Sequence, residues 1–143
     1  MKLDIALIPY GAISGTLPAI MPYLLESAKR SRGRANVDDI LRFLLTGDMQ
    51  LWVVFDDETK EAHGHFITEV KQYPQVKMLV IQYAAMLPNN MRQIEDLMQQ
   101  YAEDYAVRMG CQGIEFVGRT GWKKHAEKYG YTAQSVTYQR FFE

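Results

Sequence analysis

The sequence has one cysteine, almost no net charge and no long hydrophobic run, and each shortage excludes a class of protein. Cys111 is the only cysteine, so an intramolecular disulfide is impossible, and the N-terminus lacks the features of a secretory signal. The 16 basic and 17 acidic residues nearly cancel, which removes the long-range attraction of nucleic acids and acidic membranes. The apolar runs are far shorter than the roughly 20 residues that span a bilayer. We therefore expect a cytoplasmic protein without a membrane or nucleic-acid partner.

The chain is long enough for one hydrophobic core. Its 143 residues are 48% hydrophobic, and the sequence contains no internal repeat, low-complexity tract or Ser/Pro-rich linker. We expect one domain that covers residues 1–143.

The first half of the chain predicts a strand, two helices and an antiparallel meander. A short apolar stretch, Leu3–Ile8, precedes Leu17–Arg30, where apolar residues recur at three- and four-residue spacing. Asn36 is a candidate N-cap for a second helix that ends at Gly47. Three segments rich in β-branched and aromatic residues follow, separated by polar turns: Met49–Phe55, His63–Val70 and Val76–Leu87.

The second half predicts a helix, a strand, a helix and a strand. The longest helical pattern begins at Met91 and ends at Gly110, and Gly113–Val117 reads as a short buried strand. The last two predicted elements are a helix closed by Gly130 and a final strand: Trp122–Tyr129 and Thr132–Phe142.

This order of elements resembles the GNAT (N-acetyltransferase) superfamily over nearly the whole chain. Ala106 and Gly110 in YAVRMGCQGIEF are similar to the family's A-x-x-x-G, and KYGY at Lys128–Tyr131 is similar to its K-x-G-[FY]. A narrower resemblance, carried by the GR-x-GW element at Gly118–Trp122, is to small GNAT-like proteins of bacteriophage virions. The resemblance implies an α/β (α+β) fold with helices on both faces of a mixed, mostly antiparallel sheet.

In that fold the pantetheine arm of acetyl-CoA lies between two strands that splay apart, which here are Gln82–Leu87 and Gly113–Val117. The residues that the resemblance places near the cofactor are Gln82, Ala84, Asn89, Asn90, Arg92 and Arg119. The family's phosphate-binding glycines are missing, since their positions hold Met91, Gln93 and Glu95. A carboxylate near the first turn of a helix repels phosphate, although it complements the helix dipole.

The candidates for acid–base chemistry are few. Glu69, near the end of a predicted strand, is the best-placed carboxylate for accepting a proton from an amine. Ala126 stands where many family enzymes have a tyrosine that protonates the leaving thiolate, so Tyr131 or Tyr138 would have to replace it. Both are more often core aromatics.

Two histidines on one strand form another candidate site for chemistry. His63 and His65 project to the same side, but the sequence supplies no third ligand at a useful spacing. We expect a surface pair without a metal.

Two functions from different classes remain open. The missing glycines and tyrosine favour a catalytically silent module that binds protein, in particular a bacteriophage virion or head-assembly component located in the host cytoplasm or the virion. The alternative is an acetyl-CoA-dependent N-acetyltransferase acting on an amine. The apolar C-terminus and exposed strand edges are compatible with a homo-oligomer.

Overall fold

The computed structural model describes residues 2–87, 90–118 and 122–142, and gives the backbone alone for residues 90 and 91. Five strands form one sheet in the order β1-β2-β3-β4-β5. Their bounds are β1 Leu3–Leu7, β2 Gln50–Asp56, β3 Ala62–Gln72, β4 Lys77–Met86 and β5 Gly113–Phe116. The first four strands pair antiparallel, and β5 pairs parallel with β4. The mixed, mostly antiparallel sheet is therefore confirmed.

Four α-helices accompany the sheet. They are α1 Ile13–Arg30, α2 Val37–Leu45, α3 Asn90–Arg108 and α4 Lys123–Lys128, and a 3-10 turn, Tyr10–Ala12, leads into α1. Asn36 caps α2 as expected: its side chain accepts from the Asp39 amide, and the Asp39 carboxylate accepts from the Asn36 amide. None of the helices in the described residues is long and apolar enough to cross a membrane.

The helices cover opposite faces of the sheet. On one face, α3 contributes Ile94, Met98 and Ala102 to a core with Trp52 and Phe66. On the other, the core joins α1 and α2 to the sheet through Ile20, Leu24, Ile40, Leu44, Leu51, Val53 and Ile67. Since side chains alternate along a strand, each residue of β3 and β4 faces either α3 or the pair α1 and α2.

The expected final strand, Thr132–Phe142, is wrong. The structure gives residues 131–142 no regular secondary structure, and every side chain from Thr132 to Phe142 is exposed. The residue types favour a strand, but a strand is stabilised by a neighbouring strand and a covered face, and residues 132–142 have neither among the described residues.

Candidate active site

The sheet opens into a fork between β4 and β5. The parallel pairing extends from Met78 opposite Gly113 to Ile81 opposite Phe116 and stops there. Beyond Ile81, β4 continues for five residues paired with β3 alone. No described residue pairs with the outer edge of this extension, which lies where the splayed strands were expected.

The backbone groups of Ala84 and Met86 point into the fork. The Leu87 amide donates to the His63 carbonyl at 2.8 Å, so His63 and Leu87 form a hydrogen-bonded pair of the antiparallel ladder. Alternation then turns the N–H and C=O groups of Ala84 and Met86 away from β3. Of these backbone groups, the Ala84 carbonyl accepts a hydrogen bond from Nη1 of Arg30 in α1 at 3.2 Å.

A β-bulge at Gln82 places this residue beside Glu69. Ile67 lies opposite Tyr83 and Thr68 opposite Ile81, so Gln82 has no partner residue on β3. Its Nε2 donates to Glu69 Oε1 at 2.9 Å. The structure thus brings together the predicted base and a predicted cofactor-binding residue, and the second carboxylate oxygen of Glu69 has no hydrogen-bond partner in the part of the chain that the structure describes.

The face of the fork toward α1 and α2 carries two tyrosines and a second carboxylate that the sequence reasoning missed. Tyr73 donates to Glu115 of β5, a bond that is the main reason why its pKa is raised; Glu69 adds to the effect. Burial raises the pKa of Tyr83, and the nearby charges of Asp39 and Glu69 raise it further. Only the pairing of β3, β4 and β5 reveals this cluster, since its members are far apart in sequence.

Tyr131 lies on the opposite face of the fork. Its ring packs edge-on against Phe116, the last paired residue of β5, with centroids 5.1 Å apart. Its hydroxyl donates to Gln99 of α3 at 2.8 Å, and burial raises its pKa, so the phenol is protonated at neutral pH. Tyr138, the other tyrosine candidate, is 91% exposed on the C-terminal segment and makes no contact with the fork that the structure shows.

A basic depression of about 350 Å³ lies at the beginning of α3. Its lining consists of Arg92, Glu95, Lys124, His125 and Lys128. Glu95 is buried, and its oxygens contact His125 Nδ1 and Lys128 Nζ, each at 3.4 Å. A carboxylate at this position was expected to repel phosphate, but in the structure it is surrounded by cations.

Solved structures of acetyltransferases share this architecture over their whole length. Glucosamine-6-phosphate N-acetyltransferase from Arabidopsis thaliana has a TM-score of 0.69 and 12% identity, with 100% of both chains covered. The chain has the GNAT fold. Ribosomal-protein-alanine N-acetyltransferase from Brucella melitensis biovar Abortus 2308 gives 0.69 and 15%, covering 99% of this chain and 100% of its own. A predicted acetyltransferase from Clostridium acetobutylicum, solved with acetyl-CoA, has a TM-score of 0.68 and 11% identity, covering 98% of this chain and 96% of its own. No protein-family model and no curated protein sequence matches the chain.

Some of the residues assigned from the GNAT resemblance cannot be placed. Asn89 and Arg119 lie outside the described residues, and the Asn90 side chain is not described. Of the others, Gln82 and Ala84 lie at the fork, whereas Arg92 lies at the basic depression.

The histidine pair is not on the surface, which corrects the sequence-based expectation. His63 is buried, and His65 is completely buried behind α1, where its Nε2 lies 2.8 Å from Ser27 Oγ. Among the described residues no group of three ligands could hold a metal ion.

Proposed function

We propose that the chain is an N-acetyltransferase that takes its acyl group from acetyl-CoA and transfers it to an amine. The observation that carries this proposal is the fork, because β4 parts from β5 after Ile81 and leaves backbone groups of Ala84 and Met86 without a strand partner. An extended ligand with amide groups fits such an edge in the manner of an added strand. The acetyltransferases with similar structures support the proposal, and one of them was solved with acetyl-CoA.

The two faces of the fork supply groups for proton transfer. When bound, acetyl-CoA supplies a thioester whose carbonyl carbon is open to attack by an amine. Glu69 accepts the amine proton at Oε2, since Oε1 is held by Gln82. Tyr131 keeps a proton on its hydroxyl because burial raises its pKa, so it is the described donor near the fork on the α3 face.

The charges around the fork favour a cationic acceptor. Glu69 of β3 and Glu115 of β5 both lie opposite Val80 of β4, so the two carboxylates are on the same face of the sheet. Their hydrogen-bond partners are the neutral groups of Gln82 and Tyr73. Neither carboxylate has a salt bridge among the described residues, so both contribute negative potential to this face.

Calorimetric titration and thermal unfolding with acetyl-CoA test the proposal. Acetyl-CoA at 100 times its Kd would raise the free energy of unfolding by about 2.7 kcal/mol, while acetate at the same concentration should have no effect. A panel of mono- and polyamines would then identify the acceptor by thiol release. Absence of both heat and stabilisation at millimolar acetyl-CoA would contradict the proposal.

The catalytically silent module expected from the sequence is a second candidate function, taken only as a domain that binds another protein. Four large apolar side chains of the C-terminal segment are exposed, namely Val136, Tyr138, Phe141 and Phe142. Exposed apolar surface of this kind favours protein contacts. The association with a bacteriophage virion stays a prediction, and co-sedimentation of the full chain with assembled particles would test it.

A further inference from the structure

A second depression, lined mainly by apolar side chains, lies at the end of the sheet opposite the fork, and we call it the apolar depression. Its volume is about 480 Å³, and its lining comes from the end of β1, the 3-10 turn, the beginning of β2 and α3. β2 runs in the same direction as β4, so its beginning is far from Met86, where β4 ends. Small-molecule sites in proteins are commonly of this size.

Three polar side chains interrupt the apolar lining, and one of them is already paired. The hydroxyl of Tyr10 donates to the Leu45 carbonyl, which holds the tyrosine ring in place as an outer wall. The other two are Gln50 and Tyr105. No charged residue belongs to the lining in the part of the chain that the structure describes. An ion that lost its hydration there would find no countercharge in the lining.

A buried chain of hydrogen bonds fixes the orientation of the Gln50 amide. The Trp52 indole is only a donor, and its Nε1 donates to Thr68 Oγ1 at 3.0 Å. The Thr68 hydroxyl in turn donates its hydrogen to Gln50 Oε1 at 2.9 Å. The amide oxygen is thereby occupied, while the two hydrogens on Gln50 Nε2 have no acceptor among the described residues.

Tyr105 contributes a third unused donor. The residue is only 9% exposed, and the described residues offer its hydroxyl no hydrogen-bond partner. Its ring packs edge-on against Trp52 with centroids 5.4 Å apart, and the Arg108 guanidinium, outside the lining, lies 5.3 Å from the ring centroid. Burial raises the pKa of Tyr105, so the phenol keeps its hydrogen at neutral pH. A nearly buried donor without an acceptor is unfavourable, and a ligand oxygen would relieve this.

We propose that the apolar depression binds a small neutral molecule with an apolar body and one carbonyl oxygen, which accepts hydrogen bonds from Gln50 Nε2 and the Tyr105 hydroxyl. Both side chains contact Trp52, Gln50 through Thr68 and Tyr105 directly, so the donors are held in place before a ligand binds. The lack of a cation in the described lining favours a neutral carbonyl group over a carboxylate. This site lies away from the fork and does not depend on the function proposed above.

An NMR titration of the full chain with acetophenone tests the site, because this probe combines a phenyl ring with one carbonyl oxygen and no charge. We expect a Kd of about 1 mM for a probe of this size. The resonances of the Gln50 side-chain amide should shift, and so should the Trp52 indole N–H at the other end of the hydrogen-bond chain. No shift of either resonance at saturating probe, or shifts confined to residues 82–86 at the fork, would overturn the proposal.

Two variants with matched controls test the donors. Tyr105→Phe should weaken acetophenone binding about fivefold, without loss of stability in the free protein, since the hydroxyl that it removes has no described partner. Gln50→Leu should weaken binding by a similar factor. Tyr138→Phe and Gln100→Leu make the same changes at exposed positions and should leave the Kd unchanged. Equal affinity of the wild type and Tyr105→Phe would contradict the proposal.

Two related probes test the class of ligand. Ethylbenzene lacks the oxygen and benzoate carries a charge, so each should bind about fivefold more weakly than acetophenone. Ethylbenzene of equal affinity would show that the donors are not used, and tighter binding of benzoate would show an anion site; either result overturns the proposal. Acetyl-CoA should shift residues 82–86 and leave the Gln50 amide unchanged, so the failure of one proposal is distinguishable from the failure of the other.

Discussion

A histidine with one unsatisfied nitrogen lies in the core between α1 and β3. Nε2 of His65 lies 3.3 Å from the Tyr23 carbonyl as well as close to Ser27 Oγ, which indicates that this nitrogen carries the hydrogen. Nδ1 is buried without a hydrogen-bond partner among the described residues. Burial, with a smaller contribution from the charge of Arg30, lowers the pKa of His65 from 6.5 to about 4. The imidazole is therefore neutral in the folded protein.

This shift makes stability depend on pH. Below pH 6.5 the unfolded chain binds a proton at His65 while the folded protein does not, so the free energy of unfolding falls as the pH decreases toward 4. The loss attributable to His65 should reach about 2 kcal/mol at pH 5. In urea unfolding at pH 7.5 and pH 5, His65→Gln should lose less stability than the wild type by that amount. Parallel losses in the two proteins would argue against the shift.

Glu69 is the residue on which the proposed chemistry most depends. Glu69→Gln keeps a group that can hydrogen-bond to Gln82 but removes the base, so we expect kcat/KM to fall about 100- to 1,000-fold with the affinity for acetyl-CoA unchanged. Glu58→Gln, in the exposed turn between β2 and β3, is the control and should retain full activity. Full activity of Glu69→Gln would remove Glu69 from the mechanism.

At the scale of elements, the close approach of β3 and β4 depends on a glycine. Gly64 lies opposite Met86, and a Cβ added at Gly64 would lie 2.3 Å from Met86 Cβ and 2.6 Å from the Ala85 carbonyl oxygen. Both atoms are too close to the β4 backbone for a rotamer change to relieve the clash. The two strands would have to separate at the open end of the fork, where β4 ends.

Gly64→Ala should therefore destabilise the protein by about 2 kcal/mol or more, as overpacking does in other cores. Gly15→Ala makes the same chemical change in α1, where nothing lies within 4 Å of the added Cβ, and should stabilise by up to about 1 kcal/mol. Chemical denaturation of both variants checks the pair. Equal effects would show that the packing of Gly64 against β4 is looser than described.

Most helices and strands were predicted from sequence patterns, because each pattern depends on residues that are close together in the sequence. The cap at Asn36 and the glycines that end helices, Gly47, Gly110 and Gly130, were recognised correctly, and all three glycines have positive φ angles. The beginning of α1 was placed four residues late, at Leu17 instead of Ile13. Residues 14–16 carry no apolar period, and Pro18 is of a residue type that is typical of the first turn of a helix, although α1 contains it in its interior.

The site was harder to predict because its contacts are long-range. Glu69 was chosen for its position on a strand, but its contact with Gln82 depends on the register of two strands and on a bulge. His65 was assigned to the surface because its partner, Ser27, lies 38 residues away in the sequence. Polarity alone does not reveal which histidines fold into the core.

At the scale of the whole molecule, charge is segregated although the total is near zero. Positive side chains line the depression at the beginning of α3, while Glu69 and Glu115 face α1 and α2. The net charge of −1 conceals this separation. An anionic donor and a cationic acceptor would therefore approach the fork from opposite faces of the sheet.

The C-terminal segment contributes little to the stability of the molecule. Its side chains from Thr132 to Phe142 are exposed, and its one described side-chain hydrogen bond to the rest of the protein is the one that Arg34, in the turn between α1 and α2, donates to Gln139 at 2.6 Å. Deleting residues 133–143 should change the free energy of unfolding by less than about 0.5 kcal/mol. Denaturant unfolding of the truncated chain checks this. A loss above 2 kcal/mol would show instead that the segment packs as the expected strand.

Truncation also tests whether the chain self-associates. If the exposed aromatic side chains join two copies, analytical ultracentrifugation should show the full chain as a dimer and the truncated chain as a monomer at the same concentration. Identical sedimentation of the two chains would exclude this segment as the contact.

The bulge at Gln82 makes the length of β4 less constrained at this position than elsewhere in the strand. Deleting Gln82 would restore strict alternation with Ile81 still opposite Thr68 and Tyr83 still opposite Ile67, so the backbone groups of Ala84 and Met86 would continue to point away from β3. A one-residue insertion or deletion between Tyr83 and Met86 would instead move the side chains beyond it to the opposite face. A gap at position 82 in an alignment would therefore mark a relative that keeps the open edge and lacks the Gln82 contact with Glu69.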